Sequence, residues 1–371
     1  MSEDHQRLLA KYEPKEIAVI TAQPQVASAH FSPCGRYLCA GGYDRRVRRW
    51  DMTTDRPREL ASLGGHDGWV EAIAFHGETL YSADTWGKLA AWKYTAAAPS
   101  PVWTVAQAHE GWIRQLAVSS DGQYLASCGR DQKIQIFRAD NGEPVRQWFV
   151  GQDLFCVLFH PHTGQLVSGD LHGQVNIWEL GSEDPVRTVD ASVLFLQHRL
   201  QDVGGVRALA FDQAGKILTI GGTKPKNGGT VQGTPTLLVV DFESGELRNT
   251  LEIGGPADCF VHMVRHHDAG FLMAVTSGTP GNGRIVFQRP ADAEPFYLNK
   301  NIPNCHSLSL HPDGNQIAVA ATNRGSNGNG RPLNANGDYI GNYSPIHLLA
   351  FSDVVQSEQA SRATVSKSST S

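Results

Sequence analysis

The sequence repeats one pattern of apolar and polar positions along most of its length: two short apolar runs separated by a polar turn that contains glycine. Residues 72–75, 116–118 and 209–211 are almost continuously apolar before such a turn, and residues 37–40 and 124–127 follow one. Short apolar runs bounded by turns are typical of strands that are covered on both faces. The pattern therefore predicts many short, buried strands.

The turn glycines recur at regular intervals. They are separated by 42, 45, 42, 51, 55 and 44 residues and are Gly35, Gly77, Gly122, Gly164, Gly215, Gly270 and Gly314. A period of this length indicates a repeat architecture of seven units rather than two or three unrelated domains. In the first four units a third strand ends in a large aromatic residue: Trp50, Trp92, Phe137 and Trp178.

These residues resemble the WD-repeat β-propeller family. Unit one ends in Arg49-Trp50-Asp51, Gly65-His66 precedes unit two, and His109 precedes unit three. A period of about 40–45 residues with a Gly-His pair and a terminal Trp-Asp is that family's signature. The resemblance covers residues 16–351, by motif in the first four units and by strand rhythm in the last three. It implies an all-β fold, a seven-bladed β-propeller of four-stranded antiparallel blades.

The resemblance also implies a structural tetrad, in which a buried Asp between the second and third strands meets the histidine of the Gly-His pair. The residues assigned to it are Asp44, His66, His109, Asp131, Trp50, Trp92 and Trp178. Asp44 and Asp131 lie six residues before the terminal aromatic residue of their units, as the family expects. In units two and four that position holds Trp86 and His172. Asp84 and Asp170 lie two residues earlier, which leaves the full tetrad open in these units.

The two ends of the repeat complement each other. The last unit has three strands before the apolar pattern ends near residue 351, and an apolar run at residues 16–20 is available as the fourth. Pairing of the two would close the ring and remove its open edges. We expect an N-terminal extension at residues 1–15, a single propeller at 16–351 and a disordered Ser/Thr-rich tail at 352–371.

Three connections between second and third strands are unusually long and rich in Gly and Asn: residues 221–234, 277–283 and 322–342. Segments of this composition form exposed loops. In a propeller they would emerge on the face where the first strands enter, beside the channel mouth. They either form a wall there or are tolerated insertions without a role, because surface loops accept extra length at little cost.

Charge and cysteine content narrow the partners and the compartment. The chain has 32 Lys and Arg against 37 Asp and Glu, a net charge of −5, which argues against nucleic acid and membrane partners. We interpret the four arginines at residues 45–49 as a solvated strand face. Six cysteines without a C-x-x-C pair indicate reduced thiols, and the N-terminus lacks a secretory signal, so we expect a cytoplasmic protein.

No motif of an enzyme or a cofactor site is present: there is no phosphate-binding loop, nucleophile elbow or zinc-binding H-E-x-x-H. His160 and His162, and His266 and His267, are expected in turns that face away from the channel mouth. Residues 334–338 have too few carboxylates for a calcium loop and are interpreted as a Gly/Asn turn. We therefore predict no catalytic residue, no cofactor and no metal.

The mouth of the channel is the candidate site. In the family, the residues three and five after the Gly-His histidine line the entry of the first strand, and we extend this register to every unit. The resulting pairs are Gln25 and Ala27, Trp69 and Glu71, Trp112 and Arg114, Asp153 and Phe155, Gly205 and Arg207, Asp258 and Phe260, and Asn304 and His306. The predicted partner-binding residues among them are Trp69, Glu71, Trp112, Arg114, Asp153, Phe155, Arg207, Phe260 and His306.

Two functions compete. Trp and Arg are enriched in binding hot spots, which favours a non-catalytic scaffold that binds a protein or peptide at the mouth with Trp69 and Trp112 as anchors. Such a scaffold would be a monomeric ring or a subunit of a larger complex. The alternative interpretation of both tryptophans is packing between blades. The alternative function is a Ca²⁺- or Mg²⁺-dependent hydrolase, with the metal held by Glu71, Asp153, Asp258 and Asn304.

Overall fold

The computed structural model describes residues 3–54, 56–198, 201–227, 232–323, 336 and 341–353. Helix α1 (Glu3–Tyr12) comes first and is followed by 30 strands numbered in chain order. The strands form seven four-stranded antiparallel sheets, which are the blades of a propeller, and one two-stranded sheet. The predicted fold class is confirmed. As far as the chain is described, its helices are too short and too polar to cross a membrane.

The blades follow one another along the chain, and each is built from an innermost to an outermost strand. Blade 1 consists of β2 (Val26–Phe31), β3 (Tyr37–Gly42), β4 (Arg46–Asp51) and β5 (Arg58–Gly64). Blade 2 consists of β6 (Val70–His76), β7 (Thr79–Asp84), β8 (Leu89–Lys93) and β9 (Pro101–Val105). Blade 3 consists of β10 (Ile113–Val118), β11 (Tyr124–Gly129), β12 (Lys133–Arg138) and β13 (Pro144–Phe149). Blade 4 consists of β14 (Leu154–Phe159), β15 (Leu166–Asp170), β16 (Gln174–Trp178) and β17 (Arg187–Asp190).

A short 3₁₀ helix and the two-stranded sheet connect blade 4 to blade 5: Ser192–Leu194, β18 (Phe195–Leu196) and β19 (Val203–Gly204). Blade 5 consists of β20 (Val206–Phe211), β21 (Ile217–Asn227), β22 (Gln232–Asp241) and β23 (Leu247–Glu252). Blade 6 consists of β24 (Phe260–His267), β25 (Phe271–Ser277), β26 (Gly283–Gln288) and β27 (Tyr297–Asn299). Blade 7 consists of β28 (Cys305–Leu310), β29 (Gln316–Ala321), β30 (Ser344–Phe351) and β1 (Pro14–Ala22).

The predicted closure of the ring by an N-terminal strand is confirmed. Strand β1 pairs antiparallel with β30, from Pro14 opposite Phe351 to Ala22 opposite Ser344. Helix α1 precedes this strand, and its Leu8 and Tyr12 pack against the apolar cluster between blades 6 and 7. The first and last parts of the chain therefore hold each other in one sheet.

The turn glycines explain the repeat. All seven have a positive φ between 53° and 84°, a conformation that side chains with a Cβ rarely adopt. At Gly35 a Cβ would also lie 2.4 Å from Nε2 of His311, which belongs to the preceding blade and hydrogen-bonds the Gly35 carbonyl at 3.1 Å. A Cβ at Gly122 would lie 2.3 Å from Nε2 of His76. The turns at Gly35 and Gly122 are thus packed against the neighbouring blade as well as sharply bent.

One of the three predicted loops is a β-hairpin instead. Strands β21 and β22 remain paired as far as Asn227 opposite Gln232, whereas the neighbouring β20 begins opposite Gly222. The expectation of a loop at residues 221–234 was therefore wrong, because paired backbone outweighs the Gly- and Asn-rich composition. Lys224 also pairs with Glu252 of β23 at 3.0 Å. Most of residues 322–342, and residues 354–371 of the predicted tail, lie outside the described residues.

The arginine run of β4 is not one solvated face. Arg45 and Arg46 are exposed, but Arg49 is buried at 1% exposure. Its guanidinium donates hydrogen bonds to the backbone carbonyls of Ala61, Tyr94 and Ala96. The interpretation of the whole run as solvated was wrong, because β4 is the third strand of its blade and one face of it packs against blade 2.

Candidate functional site at the channel mouth

The innermost strand of every blade contains a β-bulge close to its start. In blade 2, Val70 lies opposite Asp84 and Ala72 opposite Ala83, so Glu71 between them has no opposite residue. A bulge bends the strand and redirects the side chain of the extra residue. We call these extra residues the bulge ring; they are Ala27, Glu71, Arg114, Phe155, Arg207, His262 and His306.

In six blades the bulge residue is the second member of the pair expected from the sequence. Blade 6 differs, because Phe260 and His262 occupy the positions expected for Asp258 and Phe260. The positions predicted for blade 6 were two residues too early in the chain. The reason is that His266 and His267, which were expected in a turn, belong to β24 and pair with Leu272 and Phe271. His262 is the residue of the ring that the sequence did not reveal.

The seven innermost strands enclose a central channel with a volume of about 1080 Å³. Five members of the bulge ring line this cavity: Ala27, Glu71, Arg114, His262 and His306. Gln25 and Asn304 lie at its mouth, as expected. His306 of blade 7 also contacts the next blade: its Nε2 lies 2.9 Å from the backbone carbonyl oxygen of Val26 in blade 1.

Aromatic rings and guanidinium groups alternate along the mouth from blade 3 to blade 6. The Arg114 guanidinium lies 5.1 Å from the Trp112 ring centroid and 4.5 Å from that of Phe155. The Arg207 guanidinium lies 4.5 Å from the Phe155 centroid and 4.2 Å from that of Phe260. We call these five residues the aromatic–arginine row. Stacking occupies the faces of each guanidinium and leaves its N–H edges for hydrogen bonds.

Asp153 supplies negative charge beside this row. Its Oδ2 lies 4.0 Å from Nη2 of Arg114 and 3.8 Å from Nε of Arg130. All three side chains are partly solvent-exposed, so these long ion pairs contribute little to stability. These ion pairs place the negative charge of Asp153 beside Arg114 and Arg130 at the mouth.

Two tryptophans of blade 2, Trp69 and Trp86, are exposed. Trp69 is 48% exposed and stacks on Tyr43 of blade 1, with ring centroids 4.6 Å apart. Trp112 is half-buried in the aromatic–arginine row. Neither ring is enclosed between blades, which the alternative interpretation required. Trp86, in the turn after β7, is 66% exposed, and the sequence signal that should have singled it out is a Trp where the family has Asp.

Glu71 is the acidic member of the bulge ring. Burial raises the pKa of Glu71 to about 7, although the charge of Arg114 acts in the opposite direction. Its Oε2 is buried and has no hydrogen-bond partner in the described structure. A carboxylate in this position is costly once it ionises.

We therefore expect Glu71→Gln to stabilise the protein at alkaline pH. The unfolded carboxyl ionises near its usual pKa of 4.5 and the folded one near 7, so the penalty begins above pH 4.5 and is complete above pH 7. The substitution should raise Tm by about 2–5 °C at pH 8 and change it little at pH 4.5. Thermal melts of both proteins at the two pH values measure this. An equal change at both pH values would contradict it.

Blade 2 contains a complete structural tetrad. Nε1 of Trp92 donates to Oγ of Ser82 at 2.8 Å, and that Oγ lies 2.7 Å from Nε2 of His66. Nδ1 of His66 lies 3.1 Å from Oδ2 of Asp84. The tetrad that the sequence left open in unit two is thus present. Asp84 lies two residues earlier in its turn than Asp131 does in blade 3, but it contacts His66 as Asp131 contacts His109.

The other assigned tetrad residues differ from blade to blade. In blade 3, His109 contacts Asp131 at 2.8 Å and Ser127 at 2.7 Å, as the family pattern implies. In blade 1, Asp44 contacts no histidine among the described residues and pairs instead with Arg48 at 3.1 Å, while Trp50 is buried in the core. In blade 4, Nε1 of Trp178 donates to Oγ of Ser168 at 2.9 Å. Asp44 is thus an ion-pair residue rather than a tetrad member, because blade 1 has no Gly-His pair before it.

The residues of the metal-dependent alternative do not converge. Asp153 faces Arg114 and Arg130, and Asp258 pairs with Arg284 at 2.7 Å. Within the described ranges, no group of three or more His, Cys, Asp or Glu side chains is arranged to hold a metal ion. Asp153 and Asp258 thus serve as partners of arginines.

Comparison with known families agrees with the geometry. The model of the WD domain, G-beta repeat, matches residues 14–51, 100–138 and 142–179. The chain belongs to the WD-repeat β-propeller family. The matched segments lie in the first half of this WD-repeat protein, where the motifs are strongest, and the seven blades extend the family's architecture to Phe351.

Several curated proteins are similar to this WD-repeat chain. Pre-mRNA-processing factor 19 of Mus musculus is 26% identical over 224 residues, which cover 50% of this chain and 44% of that protein. The THO complex subunit 6 homolog of Danio rerio is 25% identical over 183 residues, covering 44% and 56%. Periodic tryptophan protein 2 of Arabidopsis thaliana is 20% identical over 328 residues, covering 80% and 34%. The chain therefore spans less than two thirds of the length of each of these relatives.

Proposed function

We propose that this propeller is a non-catalytic interaction scaffold that binds a partner protein or peptide at the channel-mouth face. The observation that carries the proposal is the concentration of aromatic and arginine side chains there. Trp69 and Trp86 are exposed, although removing such rings from water is strongly favourable. A partner that covered them would gain that free energy.

The aromatic–arginine row supports the same conclusion from its rigidity. Its guanidinium groups are already held between rings, so a partner would order few side chains on binding. Central aromatic and arginine residues are the usual hot spots of protein interfaces. The name of the Danio rerio relative, a complex subunit, is in keeping with a protein partner for this chain.

The test is a Trp69→Ala/Trp112→Ala double variant. Two hot-spot side chains are lost, so partner affinity should fall at least about 30-fold. Partners captured by the wild-type protein are quantified by mass spectrometry, and one of them is then purified for titration. The matched control is Val102→Ala/Leu247→Ala, which removes exposed apolar side chains from the outer strands β9 and β23.

The control should retain the partners, and a thermal melt of each variant shows that the propeller is intact. Equal binding by the double variant and the wild-type protein would exclude the mouth as the binding face. A cytoplasmic location stays a prediction, since the pre-mRNA-processing name of the Mus musculus relative would suit a nuclear protein as well.

A further inference from the structure

A second ring of side chains lies deeper in the channel. It consists of the residues three positions after each bulge, about 10 Å further from the mouth. We call it the lower ring; its members all line the cavity and are His30, Ala74, Ala117, Leu158, Ala210, Arg265 and Ser309. Three alanines and a serine leave open space there. Arg265 and His30 are its only members that can carry charge.

Arg265 has no compensating charge. Its Nη1 donates to the backbone carbonyl of Val264 at 3.0 Å, and in the described part of the chain no carboxylate forms an ion pair with it. Burial lowers the pKa of Arg265, and no neighbouring acid offsets this. Burial and the charge of Arg265 together lower the pKa of His30 to about 3, so His30 is neutral at physiological pH. It can donate a hydrogen bond without adding charge.

The bulge ring at the mouth of the channel also contains an arginine without a compensating charge. Arg207, in the bulge ring, has no carboxylate partner among the described residues, and burial lowers its pKa to about 10. Its Nε is buried without a hydrogen-bond partner. The two acids that line the cavity are Glu71, whose pKa is near 7, and Asp212 at the far end. An arginine in such surroundings is unfavourable unless an anion offsets its charge.

We propose that the channel binds an anion bearing phosphate or carboxylate groups, with Arg265 as its principal ligand and His30 as a neutral second donor. Guanidinium groups match the planar geometry of these anions and bind them with charge-assisted hydrogen bonds. A cavity of about 1080 Å³ has room for a small organic anion or for an acidic segment that enters from the mouth. This site is separate from the exposed tryptophans, so it does not depend on the proposed partner surface.

Two probes separate the possible sources of the anion. Pyrophosphate represents a free anion and a hexaglutamate peptide represents an acidic partner segment, while hexaglutamine is the neutral control. Isothermal titration should detect binding of at least one anionic probe, which weakens with added salt. Arg265→Gln should weaken that binding at least about tenfold, because it removes a charge-assisted hydrogen bond. Arg46→Gln, which removes an exposed guanidinium from β4, should leave it unchanged.

A melt without any probe distinguishes a binding residue from a structural one. Arg265→Gln should leave Tm unchanged or raise it, because it removes an uncompensated charge from the channel. Binding of pyrophosphate alone would identify a free anion, and binding of the peptide alone an acidic segment. The proposal is overturned if neither probe binds at millimolar concentration, if Arg265→Gln binds as well as the wild-type protein, or if Arg265→Gln lowers Tm by several degrees.

Discussion

Replacing Asp84 with alanine is expected to lower the free energy of unfolding by about 3–5 kcal/mol. The carboxylate is fully buried and is a hub of hydrogen bonds. Its Oδ2 meets His66 and the backbone amides of Asp67 and Gly68, and its Oδ1 accepts from the amides of residues 86 and 88. Alanine would leave all five donors buried or half-buried without a partner.

The same substitution should change how the free energy of unfolding depends on pH in acid. Burial alone would raise the pKa of Asp84, but hydrogen bonds from His66 and from backbone amides outweigh it and hold the value at about 2. Because the folded pKa lies below the unfolded value of 3.8, the ionised carboxylate stabilises the protein above pH 3.8, and this contribution is lost as the pH falls through 2. Asp84→Ala should lack this component of the acid transition.

Urea unfolding of Asp84→Ala and of the wild-type protein at pH 7 and pH 3 measures both effects. Asp67→Ala is the matched control, because its side chain is 61% exposed and its loss should change stability by less than about 0.5 kcal/mol. A loss below about 1 kcal/mol for Asp84→Ala would show that the tetrad of blade 2 is not a stabilising network.

The architecture was predictable because it is encoded locally and repeated. Each turn glycine is required by its own backbone conformation, so seven of them in sequence count the blades without any knowledge of contacts. The bulge ring was predictable in six blades for a similar reason. The positions at the mouth were counted from the Gly65-His66 pair in unit two and transferred to the other units. The transfer works as long as the innermost strands have similar lengths, and it failed at β24, which is longer.

The remaining errors come from contacts between distant parts of the chain. An Asp at either of two positions in the turn can contact the histidine of the Gly-His pair. The position of Asp84 therefore did not show whether blade 2 has a tetrad. Arg49 is buried because carbonyls of the next blade accept its hydrogen bonds, which no pattern within β4 reveals. The uncompensated charge of Arg265 becomes visible when the innermost strands of all the blades are placed around one channel.

Removing residues 1–22 is expected to have a larger effect than any of the substitutions, namely loss of cooperative folding. The deletion removes β1, and with it Ile20 and Ala22 from the core cluster shared by blades 7 and 1. It also leaves β30 as an open edge with eight unpaired register positions, from Ser344 to Phe351. Such an edge pairs readily with other chains. The cost is comparable to the whole stability of a typical domain, at least about 5 kcal/mol.

Removing residues 1–12 is the matched control, because it deletes helix α1 and leaves β1 in place. This variant loses the packing of Leu8 and Tyr12 and should melt cooperatively with a reduced Tm. Circular dichroism melts and size-exclusion chromatography distinguish the two deletions. The shorter deletion should remain a folded ring, and the longer one should aggregate or melt without cooperativity. If the longer deletion instead melts cooperatively at the same temperature as the shorter one, closure through β1 is not what holds the ring together.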